Sequence, residues 1–388
     1  MNLYLAGLYS LGLILIATSV RGQIIPDGSL STNVQQTGNT TEITGGRQAG
    51  NNLFHSFQDF SVLTNNTAFF NNTIDINNIL SRVTGGNISQ IDGLIRANGD
   101  ANLFLINPAG IMFGKNARLD IGGSFLGSTA TGLLFDNGTE FSATSNIEPV
   151  LSINAPIGLN LRNVTGDISS QGNLNSNDSL TLAANNLDLR GQLTAKYNLA
   201  LEAINNIKIR DSINNPFVAT GGNKLSLQGG NIDIFVLSNA NSGLFSGQDL
   251  ILRSHNTISG DAHYYSGGDF RVEQLDNSAG SLISLHDPIV RSQGDVSFAD
   301  YTGAALHILA GGSVTVAGDI NITGVDTTAN SLQETITLSD GSQISIDGSI
   351  QPTLDIRAGT NNPGVAGVTG EDIAIKSTDT ATSSNDSI

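Results

Sequence analysis

Four acidic residues, Asp249, Asp269, Asp295 and Asp319, each stand immediately ahead of a short apolar run in the second half of the chain. Clustered carboxylates are the equipment of polysaccharide cleavage, which needs two of them at a defined separation with one kept protonated. The simpler role of an aspartate at such a place is to close a turn through its own side chain. The five histidines, His55, His255, His263, His286 and His307, lack the spacing of metal ligands. Neither a Gly-x-Ser-x-Gly elbow nor a phosphate-cradling loop is present, and the Gly-Gly-x-Gly-x-Asp calcium repeat is missing. With no cysteine, thiol chemistry, disulfides and Cys-ligated metal sites are excluded. Residues 255–265 (HNTISGDAHYY) place two tyrosines in a chain that is only 5% aromatic, a patch suited to a carbohydrate or protein contact. No cofactor or metal is expected, and the residues favour a non-enzymatic protein over a polysaccharide-cleaving one.

Composition narrows the partners. Of 388 residues, 13% are charged, about half the usual share for a soluble domain, and 45 are glycine. The net charge of −17 and the lack of any Lys/Arg run argue against nucleic acid and against an anionic membrane surface, because both bind through cationic contacts. Hydrophobic residues still make up 39%, enough to bury a core, and that core must be built from Leu, Ile and Val.

The first segment reads as an address. Residues 3–20 (LYLAGLYSLGLILIATSV) are apolar and uncharged, and the following Arg21-Gly22-Gln23 offers a small-residue site for cleavage after Gly22. A secretory signal over residues 1–22 is therefore expected, although the segment before Leu3 has no Lys or Arg.

The elements that must position everything else are short strands. Apolar residues alternate at Leu180/Leu182, Leu199/Leu201, Ile207/Ile209, Leu225/Leu227, Ile232/Ile234, Leu250/Leu252, Val314/Val316, Ile320/Ile322 and Ile373/Ile375, among others. Asn and Gly pairs bound them (Asn185-Asn186, Asn205-Asn206, Gly221-Gly222, Gly267-Gly268, Gly311-Gly312), and the expected reason is their tolerance of positive φ at tight corners. Equivalent strands recur at Leu180, Leu199, Leu225, Leu250, Phe270 and Val296, an interval typical of a solenoid. The expected fold is all-β, a right-handed parallel β-helix with an N-terminal cap over residues 23–47. If residues 24–375 all coil, about fifteen rungs would give a rod on the order of 70 Å long. An antiparallel sandwich is the alternative, but its turn signals would come less often.

The first 150 residues carry denser phrases: residues 50–62 (GNNLFHSFQDFSV), SRVTGG from Ser81 to Gly86, and residues 88–130 (ISQIDGLIRANGDANLFLINPAGIMFGKNARLDIGGSFLGSTA). This ordered set resembles the N-terminal secretion domain of the filamentous-haemagglutinin family, the exoproteins of two-partner secretion, and is most similar to cyanobacterial members. The resemblance covers about residues 24–160. The family's Asn-Pro-Asn-Gly-Ile signature falls on Asn107, Pro108, Ala109, Gly110 and Ile111, with alanine at the third position. A second phrase falls on Asn52, Leu53, Phe54, His55 and Phe57. The Asn-Pro-Asn-Leu tetrapeptide of the family has no clear match, and residues 153–161 (INAPIGLNL) stand near its expected place. Independently of any family, Asn107-Pro108 initiates a turn and Gly110 can supply a positive-φ corner.

Behind the signal peptide (1–22), the resemblance implies a secretion domain (23–160), followed by a β-helix passenger (161–375). Residues 376–388, polar and without hydrophobic pattern, are expected to be a disordered tail. The resemblance also implies a partner, an outer-membrane β-barrel transporter whose periplasmic domains recognise the secretion domain. The destination would be the cell surface or the medium, reached through the periplasm and outer membrane. The task expected there is adhesion, to a cell-surface or glycan ligand.

Overall fold

A computed structural model describes residues 24–145, 147–286, 288–327, 333–337, 340–361 and 363. The expected signal segment, the pair Ile373/Ile375 and the polar tail lie outside the described residues. Those described form strands and no helix, and the strands coil into a parallel β-helix. One face stacks, in register, the strands that begin at Asn52, Asn78, Asn102, Phe125, Leu180, Asn198, Lys224, Leu250, Phe270, Val296 and Val314. A second face runs beside it from Ser89–Ile91 through Ile111–Phe113 and Ile168–Ser170 to Ile320–Ile322. The third face is formed by the sheet from Thr40–Gly45 to Arg118–Asp120 and by the one from Asn173–Ser176 to Leu354–Arg357.

Period-two alternation builds the interior. Leu199, Leu201, Leu225, Leu227, Leu250 and Leu252 are all fully buried and belong to one continuous apolar core that runs from Ile43 to Ala310. Each such side chain contributes about 1.5–3 kcal/mol by leaving water.

Among the described residues the first face holds eleven rungs, against the fifteen expected over residues 24–375, and at about 4.8 Å each they span on the order of 50 Å. Two excursions account for much of the difference. Gly132–Phe135, Glu140–Ser142 and Pro156–Asn160 leave the coil to form a separate antiparallel sheet. Gln333–Thr337 and Gln343–Asp347 form an antiparallel hairpin. Alternation alone does not say whether a strand joins the stack or leaves it.

The corner glycines have a different cause from the one expected. None of Gly221, Gly222, Gly267, Gly268, Gly311 and Gly312 has positive φ. They are glycine because stacked rungs approach there too closely for any side chain. A Cβ on Gly222 would lie 2.1 Å from Lys196 O, one on Gly247 2.0 Å from Gly222 O, and one on Gly267 2.1 Å from Gly247 O. Gly247→Ala is therefore expected to lower stability by about 1–3 kcal/mol through forced separation of two rungs. A thermal midpoint matching the native chain would contradict this.

Corner asparagines also serve the stack, and Asn185, Asn186, Asn205 and Asn206 likewise lack positive φ. Asn186 Nδ2 donates to Asp167 Oδ1 at 2.8 Å, Asn206 to Asn186 Oδ1 at 2.7 Å, Asn231 to Asn206 at 2.9 Å and Asn256 to Asn231 at 2.8 Å. One ladder of amides thus repeats at the rung spacing.

The first rung is capped. Ile24–Pro26 pairs antiparallel with the end of Asn52–Phe60, and Thr32–Thr37 forms a hairpin with Thr40–Gly45 through a turn at Gly38, whose φ is +58°. A capped end leaves no open strand edge there to recruit another chain.

Candidate functional site

The signature Asn107–Ile111 forms the corner between the strands Asn102–Ile106 and Ile111–Phe113. Asn107 is completely buried and holds the turn from inside. Its Oδ1 accepts the Ala109 N–H at 3.0 Å, and its carbonyl accepts that of Gly110 at 3.0 Å. Its Nδ2 donates to Asn87 O and to Ser89 Oγ, both at 2.9 Å, tying the turn to the preceding rung. Gly110 has φ +129°, and a Cβ there would meet Asp167 O at 3.1 Å from the rung above. Pro108 and Ala109 are the half-exposed members of the corner. Asn107 and Gly110 therefore do the structural work, while positions 108 and 109 face outward.

The other phrase forms the first rung. Leu53 and Phe57 point into the main core and Phe54 points outward into a second, smaller one. Asn52 starts a buried amide ladder, accepting from Asn78 Nδ2 at 2.8 Å, while Asn102 donates to Asn78 at 2.9 Å. His55 sits beneath the cap, its Nδ1 3.2 Å from Thr32 Oγ1, with its ring against Phe57 and Phe70. Burial lowers its pKa to about 4. The unfolded chain binds this proton from about pH 6.5 downward and the folded one only near pH 4. His55 thus adds stability in full above pH 6.5, and this is lost as pH falls toward 4, on the order of 3 kcal/mol in all. Melting temperatures measured across that interval should fall more steeply in the native chain than in His55→Gln; parallel curves would contradict the assignment.

The second core lies outside the coil. Phe54, Leu80 and Ile106, from three successive rungs, are covered by Leu30 of the cap region and by Leu133, Phe135, Phe141 and Ala143 of the antiparallel excursion. At its centre is a fully buried cation, Arg82. Its Nε donates to Ser56 Oγ at 2.8 Å, its guanidinium nitrogens to Ser142 O at 2.5 Å, Ile147 O at 2.9 Å and Ser29 Oγ at 3.0 Å, and its plane lies 4.9 Å from the Phe141 ring centroid. Burial lowers the Arg82 pKa, opposed by the charge of Asp27. Burial pushes the Asp27 carboxyl up, but hydrogen bonds from Ser56, Ser29 and Thr84 outweigh it and hold the group below the usual carboxylate range. The SRVTGG phrase now has a physical reading. Arg82 pins three elements together, Thr84 Oγ1 donates to Asp27 Oδ2 at 2.8 Å, and Gly85 lets the chain pass Gln58 O where a Cβ would lie at 2.1 Å. The phrase alone does not reveal the arginine's role. The available signal was an arginine between Ile79 and Val83 in an alternating strand of a cation-poor chain.

The carboxylates divide between two corners. Asp249, Asp269 and Asp295 stack, each Oδ1 accepting a backbone N–H from the next rung: Asp269 N at 3.1 Å, Asp295 N at 2.9 Å and Ser313 N at 2.7 Å. Asp319 stands on the neighbouring corner, its N–H donating to Asp300 Oδ1 at 2.9 Å. Arg271 bridges Asp249 at 2.5 Å and Asp269 at 3.4 Å. Asp249, Asp269 and Asp295 thus splice each rung to the next through its backbone N–H, and at the Asp319 corner the splicing carboxylate is that of Asp300. In the patch 255–265, Tyr264 is buried in the main core, and His255 lines a shallow polar cleft of about 220 Å³ with Glu273, Gln274 and Ser281.

Residues 22–362 match the family model described as the TPS secretion domain, TPS being two-partner secretion. The chain belongs to this family. Among solved structures, it is similar to the HMW1 secretion domain from Haemophilus influenzae, with 15% sequence identity and a TM-score of 0.38 over 78% of this chain and 83% of that one. No curated protein sequence matches it. The protein is a two-partner-secretion exoprotein, and its family is one of secretion rather than of enzymes. Membership implies a partner transporter in the outer membrane and export to the cell surface or extracellular space. The family match extends well past residue 160, where the resemblance read from the phrases stops.

Proposed function

We propose that this protein is a secreted adhesin of cyanobacterial type. A signal over residues 1–22 delivers it to the periplasm. The periplasmic domains of a dedicated β-barrel transporter then recognise the leading unit, residues 23–160, and residues 161–375 form the rod displayed outside, where they contact a cell-surface or glycan ligand. The single observation that carries this reading is the family match over residues 22–362. The chain suits the route physically. No cysteine is present to knot it, few charges resist passage through a barrel, and each rung buries apolar surface on the one before it. At about 25 cal/mol per Å², that burial opposes the conformational entropy of the extended chain and biases movement outward.

The test is secretion of the full chain with and without its barrel partner, alongside two variants of the Asn107 turn. Asn107→Ala removes the amide that bonds Asn87 and Ser89, and should reduce both stability, by about 1–3 kcal/mol, and secreted protein. Ala109→Asn, at the half-exposed position, should leave both at least at native levels. Equal secretion without the barrel would remove the proposal. For adhesion the readout is binding of purified chain to cells and glycan arrays, and an absence of binding would count against it.

A further inference from the structure

The contacts that close the leading rungs differ in range from those that stack the rest. Past Asp167, most side-chain bonds between rungs join residues a single turn apart. Longer ones, such as His307 to Asp355 over 48 residues and Arg291 to Pro363 O over 72, step across the insertion that carries the Gln333–Asp347 hairpin. Asn206 reaches Asn186 over 20 residues, Asn231 and Asn256 each reach back over 25, Asp295 over 26 and Ser313 over 18. The outer cover reaches much further. Asn52 Nδ2 donates to Ser152 O at 3.0 Å and Asn154 O at 2.6 Å, separations of 100 and 102 residues. Arg47 pairs with Glu148, 101 residues on, and Arg82 bonds the carbonyls of Ser142 and Ile147, 60 and 65 residues on. Gly50 lies under this strap, where an added Cβ would sit 3.4 Å from Ile153.

The coil itself has a gap at the same place. Phe125–Ser128 finds its next rung only at residues 180–183, and Ile111–Phe113 finds its own at Ile168–Ser170. In a chain that emerges N-terminus first, the stack of strands beginning at Asn52, Asn78, Asn102 and Phe125 therefore ends at Phe125–Ser128 without a successor until residue 180. Until residues 132–160 arrive, Phe54, Leu80 and Ile106 also lack their cover and Arg82 lacks two of its acceptors. Exposed apolar surface and an incompletely paired cation both weigh heavily against a folded state that is only marginally stable.

We propose that residues 132–160 act as a latch. The leading unit, residues 24–160, closes in one all-or-none step when Ser152 and Asn154 reach Asn52, and each later rung then adds singly onto the one before it. The order of these events rests on the secretion reading, since only a chain delivered end-first meets its segments in sequence. The latch itself does not depend on a transporter.

Hydrogen exchange followed by mass spectrometry on the purified full chain tests it. In the native chain, peptides from residues 52–60, 78–128 and 132–160 should exchange together as one cooperative unit. Asn52→Ala should speed exchange in all three by about tenfold or more while leaving residues 199–322 unchanged. Asn206→Ala should speed only its neighbouring rungs. Should Asn52→Ala fail to fold, Glu148→Gln at its half-exposed site should give the same pattern at about twofold. Independent exchange of residues 78–128 and 132–160 in the native chain would overturn the proposal, as would an effect of the variants confined to the strap. Failure of the barrel to export the chain would instead remove the secretion reading and leave these exchange results standing.

Discussion

Replacing Arg82 with alanine is expected to lower stability by about 3–5 kcal/mol, the range measured when one partner of a buried charged network is removed. The side chain is 1% exposed and donates to Ser29 Oγ, Ser56 Oγ, Ser142 O and Ile147 O. Its loss leaves two carbonyl oxygens and the neighbouring Asp27 without their cation, and empties volume beside Phe141. Damage should appear first in the cap and the antiparallel cover, because the arginine joins them to the first two rungs. Arg82→Lys should recover only part of the loss, since one ammonium cannot reproduce a fork that reaches three elements. Denaturant unfolding and limited proteolysis between residues 130 and 160 would measure both. A change under 1 kcal/mol for Arg82→Ala would mean that the network is incidental.

The second large effect is expected deep in the stack. Leu199 and Leu201 are fully buried and pair in register with Leu180 and Leu182 on one side and Leu225 and Leu227 on the other. Changing both to aspartate removes two buried side chains worth about 1.5–3 kcal/mol each and puts two carboxylates into an apolar interior, costing several kcal/mol more. That total rivals the whole stability of an ordinary domain. Because each rung touches only its neighbours, the leading unit should remain folded while the rungs around residue 200 open. If rung-by-rung folding drives export, the amount of chain reaching the medium should also fall sharply. Undiminished secretion with an opened rung would separate folding from translocation.

Much of this architecture was legible from residue order. Pairs such as Leu225/Leu227 and Leu250/Leu252 announce inward side chains, because a strand has period two whatever its neighbours do. Their recurrence at intervals of about one turn, though of varying length, announces the stack. The ordered phrases from Gly50 to Ala130 were sufficient to point to the secretion family. What could not be read was the reason for individual residues. Gly222, Gly247 and Gly267 look like turn glycines, yet they are demanded by a backbone from another rung. Asp319 looks equivalent to Asp295, yet it stands on a different corner, because the number of residues per turn varies and local pattern does not carry the phase.

The sequence by itself determined the coil and its family, since these follow from local alternation and from contiguous phrases. The interior expected to be built from Leu, Ile and Val also takes in rings such as Phe57, Phe113, Phe270 and Tyr301. Only the tertiary structure decided which strands leave the coil and what they cover. Arg82, Asp27 and Asn52 acquire their roles from partners as many as 102 residues away. Such pairings depend on where the chain returns in space, and no local pattern of side chains records that.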